Sequence, residues 1–326
     1  MRHVTLAGRR LSVIGLGAWQ LGSKGWGWGS EFGPAEAHAI VQRALELGVS
    51  LFDTAEVYAR GRSESILGEA LAGRRDEAFI ATKLWPLHAL RRQVVPAARR
   101  SLQRLGMARV ELYQVHWPNP IVPLAWTMAG MRDAREAGLT TAVGVSNFGL
   151  SRWRRAEVAL GGPVVSNQVP YSLLDRGAER ELIPFARAEG RTIIAYSPLA
   201  QGLLSGRYDA SHLPGGFRRA NALFTPEGMR SARPVLAVLN EVAAAHGATP
   251  AQIALAWCVR LPNVVAIPGA KSVWQMEQNA EAAGITLSDD EQAVLDEASA
   301  AFERPGRARS VGLLATRFLL SWPGRR

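Results

Sequence analysis

Asp53, Lys83 and His116 each close a short apolar run, and Tyr58 follows Asp53 by five residues. These four side chains hold the parts of a proton-transfer site. A free phenol titrates near pH ~10. A neighbouring ammonium lowers that value, so Lys83 would make Tyr58 a readier acid. Asp53 would neutralise and orient the lysine, and His116 would hydrogen-bond and direct a substrate oxygen. The chemistry that fits is protonation of an alkoxide as it develops from a carbonyl. Each residue alone has an ordinary reading: a surface tyrosine, an aspartate cap, a satisfied core histidine. Lys83 weighs most, because 35 of the 38 basic residues are arginine and only Lys24, Lys83 and Lys271 are lysine. Arginine does not readily give up its proton, whereas a desolvated lysine titrates.

No residue stands out as a nucleophile, since the single cysteine, Cys258, falls in an apolar helical run. The six histidines are scattered without HxxxH or HExxH spacing, so no metal site is expected. The reducing electrons must come from elsewhere, and a nicotinamide is the natural source.

Elements that would position these groups alternate along the chain. Short apolar or β-branched runs cover Val13 to Gly17, Ser50 to Thr54, Phe79 to Lys83, Glu111 to His116, Thr141 to Ser146, Val164 to Val169, Thr192 to Ser197 and Val264 to Pro268. Helical patterns lie between them, at Pro34 to Leu47, Ser63 to Ala72, Gln93 to Leu105, Leu124 to Ala137, Ala178 to Ala188, Pro250 to Val259 and Val273 to Ala283. Eight strands alternating with helices predict an α/β fold, a (β/α)8 TIM barrel with C-terminal extra helices or a tail. In such barrels, chemistry sits at the C-terminal ends of strands. Leu6 to Leu11 holds the turn of an N-terminal β-hairpin, and Gly202 to Pro234 reads as one long loop. Gly15-Leu16-Gly17 invites a dinucleotide fingerprint, but Gln20 stands where the third small residue belongs. An open Rossmann sheet is therefore rejected.

Length and composition agree. At 326 residues, with 48% hydrophobic and 20% charged, the chain is that of an ordinary globular protein. A single barrel domain over 1–326 is expected, with about 302–326 as a basic C-terminal tail. The N-terminus has no apolar stretch long enough for a signal peptide or a membrane span, so a cytoplasmic location is expected. The net charge is +10, but the arginines are dispersed and no nucleic-acid reading motif occurs. Neither nucleic-acid binding nor a membrane role is expected; a homo-oligomer is possible on this sequence.

The motifs carry a further signal. Leu51-Phe52-Asp53-Thr54-Ala55-Glu56-Val57-Tyr58, followed by Gly61-Arg62-Ser63-Glu64 and Leu67-Gly68, resembles the signature of the aldo-keto reductase family. Also similar, in order, are Ala81-Thr82-Lys83, Tyr113-Gln114-Val115-His116-Trp117-Pro118, Gly144-Val145-Ser146-Asn147-Phe148, Asn167-Gln168 and Ala195-Tyr196-Ser197-Pro198-Leu199. Ile267-Pro268-Gly269-Ala270-Lys271-Ser272 with Gln275, Gln278 and Asn279 completes the set, so the resemblance spans about residues 10 to 300. Two positions depart from the pattern: Ala59 stands where glycine is usual, and Gln275 where some members have arginine.

The resemblance implies an NADPH-dependent oxidoreductase that reduces aldehyde or ketone carbonyls. Asp53, Tyr58, Lys83 and His116 would be its catalytic tetrad. Tyr196 would stack on the nicotinamide, with Ser146, Asn147 and Gln168 on its carboxamide and Gly17, Trp19 and Asp53 beside it. Backbone at Ser197, Pro198, Leu199, Gln201 and Gly202 would meet the pyrophosphate. Gly269, Lys271 and Ser272 would meet the 2′-phosphate, with Gln275 nearby and Gln278 and Asn279 on the adenine. The alternative within the same family is a cofactor-bound redox-sensing subunit with little turnover.

On the substrate side, Trp19, Trp26, Trp28, Trp85 and Trp117 fall at or soon after strand ends. With Tyr58 and His116 they would form an aromatic pocket for a small-molecule carbonyl compound, closed by Phe224. In the tail, Val311, Leu314, Ala315, Phe318, Leu319 and Trp322 form an apolar helical stripe. This stripe is expected to fold back on the barrel or a neighbouring subunit.

Overall fold

A computed structural model describes residues 1–209 and 211–305. The chain opens with an antiparallel hairpin, β1 (His3–Leu6) and β2 (Arg9–Ser12), with Leu6 opposite Arg9. Its two-residue turn, Ala7–Gly8, is left-handed at both positions, which matches the strand twist. Val4, Leu6 and Leu11 are buried beneath the barrel. Arg2 fastens this plug by donating to the carbonyls of Ala283, Val259 and Ile285 at 3.0–3.3 Å. Thr192 Oγ1 donates to Thr5 O at 2.8 Å.

Eight parallel strands then pair in chain order: β3 (Leu16–Gly17), β4 (Leu51–Asp53), β5 (Phe79–Leu84), β6 (Val110–Val115), β7 (Thr140–Ser146), β8 (Ser166–Pro170), β9 (Thr192–Tyr196) and β10 (Val264–Ala266). The last returns to the first. Gly15 N donates to Ala266 O at 2.7 Å, Ala266 N to Val13 O at 2.9 Å, and Gly17 N to Pro268 O at 3.0 Å. The sheet therefore closes into the expected (β/α)8 barrel. A Cβ at Gly15 would lie 2.8 Å from Leu51 O, and one at Gly17 would lie 2.7 Å from Ile267 O. These glycines are required by strand closure. Gly17, also expected beside the cofactor, is thus required by the approach of β10.

Helices cover the barrel: α1 (Pro34–Glu46), α2 (Arg62–Ala70), α3 (Arg91–Leu105), α4 (Leu124–Glu136), α5 (Leu150–Leu160), α6 (Leu182–Ala188), α7 (Pro226–Ala245), α8 (Pro250–Cys258), α9 (Val273–Glu281) and α10 (Asp289–Ala300). Most strand positions are buried, as both faces of a barrel strand require. Three helices, α5, α7 and α10, lie outside the sequence-based set. The stretch expected to be one loop to Pro234 holds short 3₁₀ turns, the last at Ala222–Phe224, and α7 begins at Pro226. Thr225 Oγ1 caps α7 by accepting from Gly228 N at 3.1 Å. Pro234 sits inside this helix at a cost of ~3 kcal/mol. Burial of Val235, Leu239 and Val242 on the same helix outweighs it. Among the described residues, no helix is long and apolar enough to cross a membrane. The tail stripe, Val311 to Trp322, lies outside the described residues.

Candidate active site

The ends of β4, β5 and β6 bring the proton-transfer set together. Lys83 pairs in register with Gln114 on β6, and Asp53 with Ala81 on β5. Lys83 Nζ donates to Asp53 Oδ1 at 2.5 Å, to Thr54 O at 2.8 Å and to Tyr58 Oη at 3.2 Å. That uses all three ammonium protons. Tyr58 opens a turn through Gly61, in which Ala59 and Arg60 take φ of +48° and +59°. Two successive non-glycine residues in the left-handed region store strain, on the order of 1–3 kcal/mol each. Ala59 is one of the two departures from the family pattern, and its backbone takes the conformation that favours glycine.

Asp53 is almost fully buried and its other oxygen is also taken. Gln168 Nε2 on β8 donates to Oδ2 at 2.7 Å, and Gln114 Nε2 at 3.2 Å. Gln168, expected on a nicotinamide carboxamide, gives its amide nitrogen to Asp53, which leaves its Oε1 for such a contact. Gln114 was missed. The available signal was a polar residue inside the apolar run Tyr113-Gln114-Val115, whose burial demands a partner.

Burial dominates the titration of all three neighbours. It lowers the Lys83 ammonium, against the opposing pull of Asp53. Burial, then the Asp53 charge, pushes the Tyr58 phenol well above its usual value. The expected lowering by Lys83 is therefore not the net effect, and Tyr58 keeps its proton through the neutral range. Burial and then the Lys83 charge hold His116 well below the usual imidazole range, so the ring is neutral. Its Nδ1 is buried without a partner.

Aromatic rings surround the tetrad. Trp117 stacks on His116 with centroids 3.6 Å apart and planes 8° apart. The His116 ring meets Tyr58 nearly edge-on, with centroids 5.6 Å apart. Trp19 lies 6.0 Å from Tyr58 and 4.9 Å from Trp26. Trp85 instead contacts His88. Trp28 leaves the expected pocket: it packs on Phe32, within a small buried cluster with Ala18, Leu21 and Ala37. Phe224 is also buried away from it, against Tyr208 within the β9–α7 connection. Both are apolar enough to be drawn into packing beneath the rim.

The expected cofactor contacts line the adjoining rim, and many are already hydrogen-bonded to one another. Ser146 Oγ donates to Gln168 O at 2.9 Å, and Asn147 Nδ2 to His116 O at 3.1 Å. Tyr196 Oη donates to Asn147 Oδ1 at 2.9 Å. After β9 and around Pro198 and Leu199, Ser197, Ala200, Gln201 and Gly202 all have positive φ. The loop folds on itself there, with Ala200 N donating to Ser197 O and Gly202 N to Leu199 O, both at 2.8 Å. Across the rim, Gln20 packs over Gly269 and donates to Ala270 O at 3.0 Å. Ser272 caps α9, and Gln275 Oε1 accepts from Lys271 N at 2.8 Å, so Gln275 braces its own loop. Gln278 Nε2 donates to Glu281 at 3.0 Å, and Asn279 Nδ2 to Gly269 O at 3.4 Å. The Lys271 ammonium is paired with Glu31. Arg218 is buried, donates to Tyr208 Oη at 2.6 Å, and has an Nε without a partner. The two cations beside this loop, Lys271 and Arg218, fit a dinucleotide carrying phosphates.

A closed parallel barrel thus carries at its strand ends a buried Asp–Lys pair, with a tyrosine on the lysine and a histidine beside it. The chain belongs to the aldo/keto reductase family, whose model matches residues 13–300, and members of that family are oxidoreductases. It is 50% identical over 293 residues to an uncharacterized oxidoreductase of Mycobacterium tuberculosis, covering 90% of this chain and 91% of that one. It is 32% identical over 317 residues to the NADH-specific methylglyoxal reductase of Escherichia coli, covering 90% and 96%. The crystal structure of an aldo/keto reductase from Klebsiella pneumoniae, in complex with NADP and acetate, superposes with a TM-score of 0.73. It is 30% identical, covering 94% of this chain and 98% of that one.

Proposed function

We propose that this protein reduces aldehyde or ketone carbonyls to alcohols, with a nicotinamide dinucleotide as reductant and NADPH as the preferred form. The observation that carries this reading is the Tyr58 hydroxyl at 3.2 Å from a fully buried Lys83 Nζ that is itself paired to Asp53. The bound dinucleotide supplies the hydride. The neutral His116 imidazole donates a hydrogen bond to the carbonyl oxygen and fixes its direction. Tyr58, still protonated, gives its proton to that oxygen as negative charge develops on it. The Lys83 ammonium stabilises the phenolate left behind, and Asp53 keeps the ammonium in place. Trp19 and Trp117, at the mouth, pack around an apolar substrate and exclude water.

Ser146, Asn147 and Tyr196 would hold the nicotinamide end. The backbone from Ser197 to Gly202 would hold the pyrophosphate, and Lys271 with Ser272 the 2′-phosphate. Small reactive aldehydes are the first substrates to assay, since one relative is named for methylglyoxal. The test is Tyr58→Phe, which removes the hydroxyl and with it the acidic proton. Its kcat should fall by ~10²–10⁴-fold, while NADP⁺ binding, followed by calorimetry, stays within about twofold. A Phe variant that reduces aldehydes at the original rate removes Tyr58 from the mechanism.

A further inference from the structure

Lys271 Nζ donates to Glu31 Oε2 at 2.8 Å, a contact between residues 240 positions apart. The pair joins the β10–α9 loop to the β3–α1 loop across the rim where the phosphate-bearing half of a dinucleotide would lie. The partners differ in freedom: the Lys271 side chain is 19% exposed and that of Glu31 59%. Glu31 reaches the lysine by folding back over Gly27, where a Cβ would lie 2.6 Å from its carboxyl carbon. Its carboxyl is held below the usual range by its hydrogen bond to Lys271, with Arg218 and Arg207 of the β9–α7 connection adding to the effect. Three cations from two loops thus face one carboxylate from a third. The carboxylate is the exposed and displaceable member.

We propose that Glu31 is an internal competitor for the anion site at Lys271, and thereby sets how strongly the protein prefers the phosphorylated dinucleotide over the unphosphorylated one. This rests on the reading that the protein binds a nicotinamide dinucleotide. A 2′-phosphate must displace the Glu31 carboxylate before it can pair with Lys271. A dinucleotide with a bare 2′-hydroxyl leaves that ion pair in place and loses nothing to it. Glu31 thus taxes NADP⁺ binding alone and narrows the preference for it.

The experiment is calorimetric titration of the full chain with NADP⁺ and with NAD⁺, for the parent, Glu31→Gln, Lys271→Met and the double variant. An exposed ion pair of ordinary strength corresponds to about two- to fivefold in affinity. Glu31→Gln should tighten NADP⁺ by that factor and leave NAD⁺ within about 1.5-fold. Lys271→Met should weaken NADP⁺ alone. In the Lys271→Met background, Glu31→Gln should bring no gain, because the cation it competes for is gone. Four results overturn the proposal: weaker NADP⁺ binding in Glu31→Gln, an unchanged NADP⁺/NAD⁺ ratio, an equal gain for both nucleotides, or a gain that persists without Lys271. A parent protein that binds neither nucleotide overturns the functional reading itself, which the other results leave standing.

Discussion

Lysine at position 83 illustrates how much a single side chain can carry. Its ammonium meets three acceptors in three directions, the Asp53 carboxylate, the Thr54 carbonyl and the Tyr58 hydroxyl, with no exposed surface. A guanidinium is planar, larger and has five N–H donors. Lys83→Arg should therefore lower kcat by at least ~100-fold despite the retained charge, and lower the melting temperature as well. An arginine variant of full activity would show that charge alone suffices. Lys83→Met should be worse for stability, because it leaves Asp53 buried without its cation, at a cost of ~3–5 kcal/mol; denaturant titration measures this. The grouping of Asp53, Lys83 and His116 was legible because each closes an apolar run and because lysine is scarce in this chain, whereas Tyr58 lies in the turn beyond Asp53. The amides on Asp53 were not legible. Gln168 reaches it over a separation of 115 residues, and nothing local in Asn167-Gln168 says which group its nitrogen meets.

At the level of elements, the barrel strands were readable from their apolar runs, whereas the reason for the glycines was not. Gln20 already argued in the sequence against a nucleotide-binding turn at Gly15 and Gly17, but only β10 placed against them shows what they are for. Gly17→Ala should then act through closure. The added methyl meets the Ile267 carbonyl, a backbone atom that cannot rotate away. Such overpacking costs ~1–3 kcal/mol, read as a lower melting temperature of the cofactor-free protein. A variant that lost only dinucleotide affinity and no stability would show that Gly17 serves the cofactor and not closure. The helices missed by sequence reasoning had signals of their own. The α10 helix begins with Ser288, whose side chain caps Glu291 N, and with acidic Asp289 and Asp290 in its first turn. The α7 helix was hidden by Pro234, which argues against a helix until the buried face around it is known.

The whole molecule responds to pH through its buried groups. His116 is held neutral in the folded state, while in the unfolded chain it titrates near pH ~6.5. Its folded value is the lower one, so the stability it contributes is complete above about pH 6.5 and is lost as pH falls below that. Comparing melting temperatures of the parent and His116→Gln between about pH 8 and 5 should show the difference moving in favour of the glutamine variant on acidification. A difference that stays constant across that range would mean that the imidazole is not held neutral by burial.

The hairpin plug has a consequence in time. It is built from residues 3–12, which leave the ribosome long before residues 259–285. Arg2, which fastens it, needs the carbonyls of Val259, Ala283 and Ile285, close to the end of the described chain. At a synthesis rate of ~5–20 residues per second, the wait between plug and anchor is on the order of 15–60 s. The barrel seam between Gly15 and Ala266 is delayed in the same way. Throughout that interval Val4, Leu6 and Leu11 belong to a core that is still incomplete, and only contacts such as Ser12 with Ser50 can hold the hairpin.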